Sequence, residues 1–150
     1  MYISKIRIEN FRCFGEGNQA LEVSLGPGLT ALVGENDTGK TAIVDALRFV
    51  LGTRDLEYLR IDDGDFHMPS GSSERRKEIR IRCSFVDLSP ADKAAFAEFL
   101  TYVKAGDKKD AVLHINWTAR NSAGARGSRR FVSIEVKSGA KSDGPALDVE

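Results

Sequence analysis

Charge of one sign is what this chain most plainly lacks. Lys plus Arg and Asp plus Glu number 22 each in 150 residues, so no overall field draws it toward nucleic acid or an acidic membrane, and any such attraction is local. Cysteine is scarce as well. Cys13 and Cys83 lie far apart without metal-ligand spacing, which argues against a disulfide framework or a zinc site and reads as two free thiols. No apolar run approaches the roughly 18 residues of a membrane span, and Lys5, Arg7, Glu9 and Arg12 interrupt the first segment. The expected compartment is the cytoplasm, with no membrane partner. No internal repeat or heptad run is present. What remains is 41% hydrophobic and 29% charged, the balance of one soluble domain that buries about two-thirds of its unfolded surface.

Hydrophobic periodicity divides the chain. Ile6 and Ile8 flank Arg7, and Leu21, Val23 and Leu25 alternate with polar neighbours, so both segments read as half-buried strands. Gly26-Pro27-Gly28 turns the chain. Leu29 to Val33 is a short continuous apolar run, the pattern of a parallel strand buried on both faces. Beyond the next glycines Ile43, Val44, Leu47, Val50 and Leu51 recur at helical spacing, Asp45 and Arg48 fall on the opposite, solvent-facing side, and Gly52 supplies the stop. Thr53 to Ser73 is polar and irregular. Ile79, Ile81, Cys83 and Phe85 alternate strictly with Arg80, Arg82 and Ser84, an antiparallel pattern. Ser89-Pro90-Ala91-Asp92 starts a helix with a cap and a proline at its first position, and Phe96, Phe99, Leu100 and Val103 give its expected stripe. Leu113, Ile115 and Trp117, then Val132, Ile134 and Val136, mark two more strands. Ser138 to Glu150 has no periodicity and reads as a connector.

One segment carries chemistry. Gly34-Glu35-Asn36-Asp37-Thr38-Gly39-Lys40-Thr41 fits the Walker A pattern, with an apolar strand-like run before it and an amphipathic helix after it. In such a loop successive backbone N–H groups wrap a β-phosphate, glycines permit close approach, and the helix N-terminus faces the anion. Lys40 is the residue expected to reach the β- and γ-phosphates of ATP. The Thr41 hydroxyl is expected to hold Mg²⁺, and Ala42 closes the loop. Efficient hydrolysis also needs an acid at the end of a second buried strand and a group that positions water. The search for that acid finds only Asp87, after an alternating rather than a doubly buried strand, so it reads as a strand-end residue. No Asn-Lys-x-Asp guanine reader is present.

Ile6-Arg7-Ile8-Glu9-Asn10-Phe11-Arg12-Cys13-Phe14 resembles the opening strand of the RecF and SMC branch of ABC-type ATPases. Asn36, Lys40, Thr41, Asp45-Ala46-Leu47 and Phe49-Val50-Leu51-Gly52 are similar to that branch's phosphate loop and following helix. Within it the chain most resembles the N-terminal ATPase segment of OLD-family (overcoming lysogenisation defect) ATP-dependent nucleases, on Gly34 to Thr41, Gly52-Thr53-Arg54-Asp55 and Asp62-Asp63-Gly64-Asp65-Phe66. SMC proteins usually keep a glycine where this chain has Asp37. The resemblance implies an α/β P-loop NTPase fold, the N-terminal lobe of an ABC-type ATPase with an antiparallel β extension. It also implies partners: a C-terminal ATPase half and a Toprim nuclease domain from the same polypeptide, a second copy in a homodimer, and DNA. Gln19 precedes the loop and is not the family's Q-loop residue, and no Leu-Ser-Gly-Gly signature is present, so the chain is expected to be part of a longer protein and to turn over little ATP alone. The rivals are an SMC- or RecF-type ATPase without nuclease activity and a stand-alone nucleotide-binding module.

Other polar clusters read blandly. Asp62, Asp63 and Asp65 lack the spacing of a calcium loop and read as solvated. His67 and His114 read as structural. Arg120, Arg126, Arg129, Arg130, Lys137 and Lys141 against Glu135 make a locally basic hairpin that reads first as solvated and second as a phosphate contact.

Overall fold

The computed structural model describes residues 1–35, 38–52, 60–105, 108–122 and 131–147. Its elements run β1 (Tyr2–Glu9), β2 (Leu21–Ser24), α1 (Lys40–Leu51), β3 (Glu78–Val86), α2 (Pro90–Ala95), β4 (Leu100–Ala105), β5 (Lys108–Ser122) and β6 (Phe131–Ser138). Single 3-10 turns lie at Gly17–Gln19, Asp63–Asp65 and Ala97–Phe99.

The strands form one antiparallel sheet in the order β2-β1-β3-β5-β4, with β6 also on β5. β5 is 15 residues long, enough for two strands end to end along one edge: β4 pairs with residues 108–113 and β6 with residues 115–122. Register follows the period-two pattern. Ile6 lies opposite Cys83 and Cys83 opposite Ile115; Ile8 lies opposite Ile81 and Ile81 opposite Trp117. One face is therefore apolar, and α1 lies against it over β3 and β5. The other face is a lattice of charges in which Glu9 takes Arg7 at 2.8 Å and Arg80 at 3.7 Å, and Glu78 takes Arg120 at 2.6 Å.

Three sequence expectations need correction. Leu29 to Val33 forms no strand: Leu29 is 98% and Val33 93% exposed. Both edges of β1 are taken, by β2 and β3, and no described strand pairs with this run, so its apolar side chains have nothing to enter. The helix begun by the Ser89 capping box ends at Ala95, and Leu100 and Val103, read as its stripe, belong to β4. The hairpin with β5 sets Leu100 opposite Leu113 and Val103 opposite Asp110, and its ladder satisfies backbone that a longer helix would have bonded locally. Within the segment read as a connector, residues 138–147 fold back along β6: Ser138 N–H donates to Pro145 O and Leu147 N–H to Val136 O, both at 2.9 Å, and Ser138 is fully buried.

α1 is also rotated from its sequence reading. Its sheet-facing side is Ala42, Asp45, Ala46 and Phe49, whereas Ile43, Leu47 and Val50 are half-buried and Val44 and Leu51 exposed. Small alanines let the helix approach the sheet, and Phe49 fills the space. Its ring is edge-on to Phe11 at 6.1 Å and stacked on Trp117 at 5.2 Å. Phe49→Ala should therefore cost about 3–5 kcal/mol, read as a lower urea midpoint in unfolding followed by fluorescence of the single tryptophan, Trp117.

Candidate nucleotide-binding site

The candidate loop joins the exposed run after β2 to α1. Gly39 is the helix N-cap and is left-handed, with φ 88° and ψ 9°. Gly39 has no side chain to cap α1, an N-terminus whose first-turn N–H groups suit an anion. Gly52, at φ 56°, ends the helix in the same left-handed conformation. Between them Lys40 curls back over the loop: its ammonium donates to Gly34 O at 2.6 Å and also to Glu35 O. Thr38 Oγ1 donates to Glu35 O at 2.8 Å. Thr41 is exposed at the start of α1, and Ala42 is buried behind it. The structure thus brings Gly34, Glu35, Thr38, Gly39, Lys40, Thr41 and Ala42 into one turn; Asn36 and Asp37 lie outside the described residues.

The strand-end sequence Asn10 to Phe14 is part of this site. A Cβ placed on Gly39 would lie 2.7 Å from the Phe14 ring and 2.8 Å from Cys13 Sγ, closer than side chains approach. Gly39 is therefore required twice, by its φ and by these two neighbours. Two motifs that resemblance connects only by family are here in physical contact.

Arg12 ties the same turn to α1, and sequence reasoning missed it. Its Nη1 donates to Asp45 Oδ2 at 2.6 Å and its Nε to Asp65 Oδ1 at 2.8 Å. The guanidinium carbon sits 4.8 Å from the centre of the Phe11 ring. The backbone follows suit: Arg12, at φ 50°, donates its N–H to Asp65 O at 2.7 Å, and its carbonyl faces His67 Nδ1 at 2.8 Å. Burial alone would lower the Arg12 pKa, but the bonds to Asp65 and Asp45 outweigh it and leave it above its ordinary value. Two expectations are corrected here. Asp45 is buried rather than solvent-facing, its Arg48 contact being the longer one at 3.4 Å. Asp65 is buried too, while Asp62 and Asp63 stay exposed. Asp62 and Asp65 form a reciprocal cap around the 3-10 turn, which fixes the Asp65 carboxylate for Arg12. Removing one member of such a buried set costs on the order of 3 kcal/mol.

The remaining candidates play structural parts. Asp87 is an exposed, left-handed residue at the end of β3. His114 Nδ1 meets Ser84 Oγ across the β3–β5 ladder at 2.9 Å, and burial lowers its pKa. In the basic hairpin Arg120 is held by Glu78 and Glu135 and Lys137 by Glu135; Arg126, Arg129 and Arg130 lie outside the described residues. A cavity of about 470 Å³ lined by Asp63, Phe66, Lys77 and Asn121 among others includes no residue of the phosphate loop. No helix of the described residues is long and apolar enough to cross a membrane.

Comparison with known proteins bears on the family and the fold. The family model of the AAA ATPase domain matches residues 1–138. The chain belongs to that family. Among curated proteins, this AAA ATPase domain is 36% identical over 70 residues to the chromosome partition protein Smc of Mycoplasma pneumoniae, covering 45% of the chain and 7% of that protein. It is 32% identical over 87 residues to the Smc protein of Aquifex aeolicus, covering 58% of the chain and 7% of that protein. The match thus spans a small fraction of these relatives' length. Among solved structures, one from work on ATP-driven dimerization and DNA-stimulated activation of SMC ATPases has a TM-score of 0.59 at 20% identity, over 99% of this chain and 74% of that one. The Smc head domain of Pyrococcus yayanosii, solved with a coiled coil and joint, gives 0.56 at 21% identity, over 99% and 23%. The fold is that of a P-loop, ABC-type ATPase head.

Two outcomes follow for this AAA ATPase domain. Gly39→Ala should lower the melting temperature, since a left-handed alanine costs about 1–2 kcal/mol before the contacts with Cys13 and Phe14 are counted, and thermal unfolding reads it directly. Burial pushes the Cys83 thiol up to about 12, whereas Cys13 is exposed. A disulfide-exchange reagent at pH 8 should therefore label Cys13 in the folded chain and Cys83 only after denaturation.

Proposed function

We propose that this chain is the ATP-binding N-terminal lobe of an SMC- or RecF-like ATPase. The observation that carries the reading is the start of α1 at left-handed Gly39, which has no side chain to cap it, with Lys40 and Thr41 as the first two helical residues. Gly34, Glu35, Asn36, Asp37, Thr38, Gly39 and Ala42 would supply the backbone of the cradle, Lys40 the ammonium for the β- and γ-phosphates, and Thr41 the hydroxyl for Mg²⁺. Mg-ATP, when bound, brings the phosphoanhydride whose terminal phosphoryl group is transferred. To receive it, Lys40 exchanges its bonds to Gly34 O and Glu35 O for phosphate oxygens.

The lobe needs covering. Of ten exposed large apolar side chains among the described residues, five lie between Leu29 and Leu51: Leu29, Leu32, Val33, Val44 and Leu51. They flank the cradle, where a bare apolar surface is a docking surface. The remainder of the same polypeptide is the proposed cover, with the residues that complete hydrolysis, and a second copy and DNA are the further partners of a cytoplasmic assembly. The OLD-family nuclease is the second reading, favoured by Asp62-Asp63-Gly64-Asp65-Phe66, whose Asp65 is built into the site through Arg12. A reading frame that continues into an acidic Toprim segment supports the nuclease, and one that continues into heptads supports the SMC type.

Lys40→Ala in the full-length protein should weaken ATP at least about a hundredfold, the loss of the main charge-assisted contact to the phosphates. Isothermal titration with Mg-ATP checks this, and an unchanged affinity would overturn the assignment.

A further inference from the structure

We infer that Arg12 is the positioning residue of the phosphate-binding loop, acting through Asp45 and Asp65 rather than on the nucleotide. This rests on the ATP-binding reading above and adds to it what sets the loop's shape.

The sequence separations show what the bridge joins. Arg12 and Asp45 are 33 residues apart, and Arg12 and Asp65 are 53 apart, so one guanidinium ties the end of β1, the body of α1 and the turn that follows it. Asp45 lies five residues after Lys40, on the sheet-facing side of α1, and its bond to Arg12 fixes the helix against rotation about its axis. Asp65 is itself immobilised, taking the Asp62 N–H at 3.1 Å while the Asp65 backbone N–H donates to Asp62 O at 3.1 Å. A fork of two donors on two fixed carboxylates has one geometry. Its rigidity is passed on immediately, because the next two residues are Cys13 and Phe14, which sit on Gly39. The left-handed Gly39 is thus pressed from one side by the strand end while α1 is held from the other. The N–H groups and the Lys40 and Thr41 side chains take their directions from a frame whose corner is Arg12.

Two nitrogens and one face of the guanidinium are committed to this frame. Nη1 and Nε point at carboxylates and the face lies over Phe11. The two acids are 10% and 9% exposed at their side chains and Arg12 33%, so the bridge is partly shielded from water and is screened less by salt than a fully exposed pair.

The test uses the full-length protein and four variants, Arg12→Gln, Arg12→Lys, Asp45→Asn and Asp65→Asn, each measured for Mg-ATP affinity at 10 °C and for melting temperature. Arg12→Gln, Asp45→Asn and Asp65→Asn should all weaken Mg-ATP by about tenfold or more, the scale of a displaced binding group, in samples that remain folded at 10 °C. Arg12→Lys, which keeps the charge but not the fork, should fall between Arg12→Gln and the parent. If Arg12→Gln loses affinity while both carboxylate variants keep or improve it, Arg12 touches the phosphates itself and the inference is overturned. Lower melting temperatures with unchanged affinity overturn it as well, since the bridge is then structural only. The underlying ATP-binding reading stands or falls separately, on Lys40→Ala, whose side chain is not part of the bridge.

Discussion

The ring of Phe49, set edge-on to Phe11 and stacked on Trp117, is the contact through which the cradle is referred to the sheet. α1 is a single helix of 12 residues on a six-stranded sheet, and a helix of that length is marginal by itself. Its alanines allow approach but bury little area, Ile43, Leu47 and Val50 are only half-buried, and Phe49 is the one large apolar side chain of the helix that is fully inserted. From that anchor two constraints run toward the phosphate loop. Along the helix, Asp45 meets Arg12; through the strand end, Cys13 and Phe14 meet Gly39. The loop's exit is therefore specified by side chains of the turn that follows the very first strand, although 20 or more residues of chain intervene in sequence.

The sheet divides its labour between its faces. Ile6, Ile8, Ile79, Ile81 and Leu113 are sealed on one side, and that burial provides the driving force. The other side carries alternating carboxylates and guanidiniums at modest exposure. Such pairs add little stability each, but they penalise a slipped register, because a shift of one residue would bring arginines to the apolar face. The charges are met across neighbouring strands as well as along a strand, which is why Arg120 and Lys137 of the basic stretch are both paired, with Glu78 and Glu135.

How much of this was legible beforehand follows from how local each cause is. β1, β3, β5 and β6 showed in strict alternation, and α1 in its glycine borders, because those signals lie within a few residues. β4 did not, since Phe96, Phe99, Leu100 and Val103 carry helical spacing and only the partner strand, residues 108–113, decides otherwise. The phosphate loop was legible as a motif, whereas its supports were not: Arg12, Asp45 and Asp65 are polar residues with unremarkable neighbours, joined only by tertiary structure. Asp45 in particular reads as the polar side of an amphipathic helix until Arg12 is brought to it. Leu29 to Val33 shows the converse, a correct reading of apolar character in a segment that has no described partner to bury it.

The connection between β2 and β3 carries both the phosphate loop and α1. Both strands are bonded to β1, one on each edge, so the whole excursion from residue 25 to residue 77 leaves on one side of that strand and returns on the other, across about 10 Å. It is sewn at its base by the Phe11–Phe66 bridge and by the His67 N–H to Asn10 O bond of 3.0 Å. The ladder bonds of β1 to β2 and β3 lie outside the excursion, so beyond this base the excursion meets the sheet through side chains, Phe49 on Trp117 foremost.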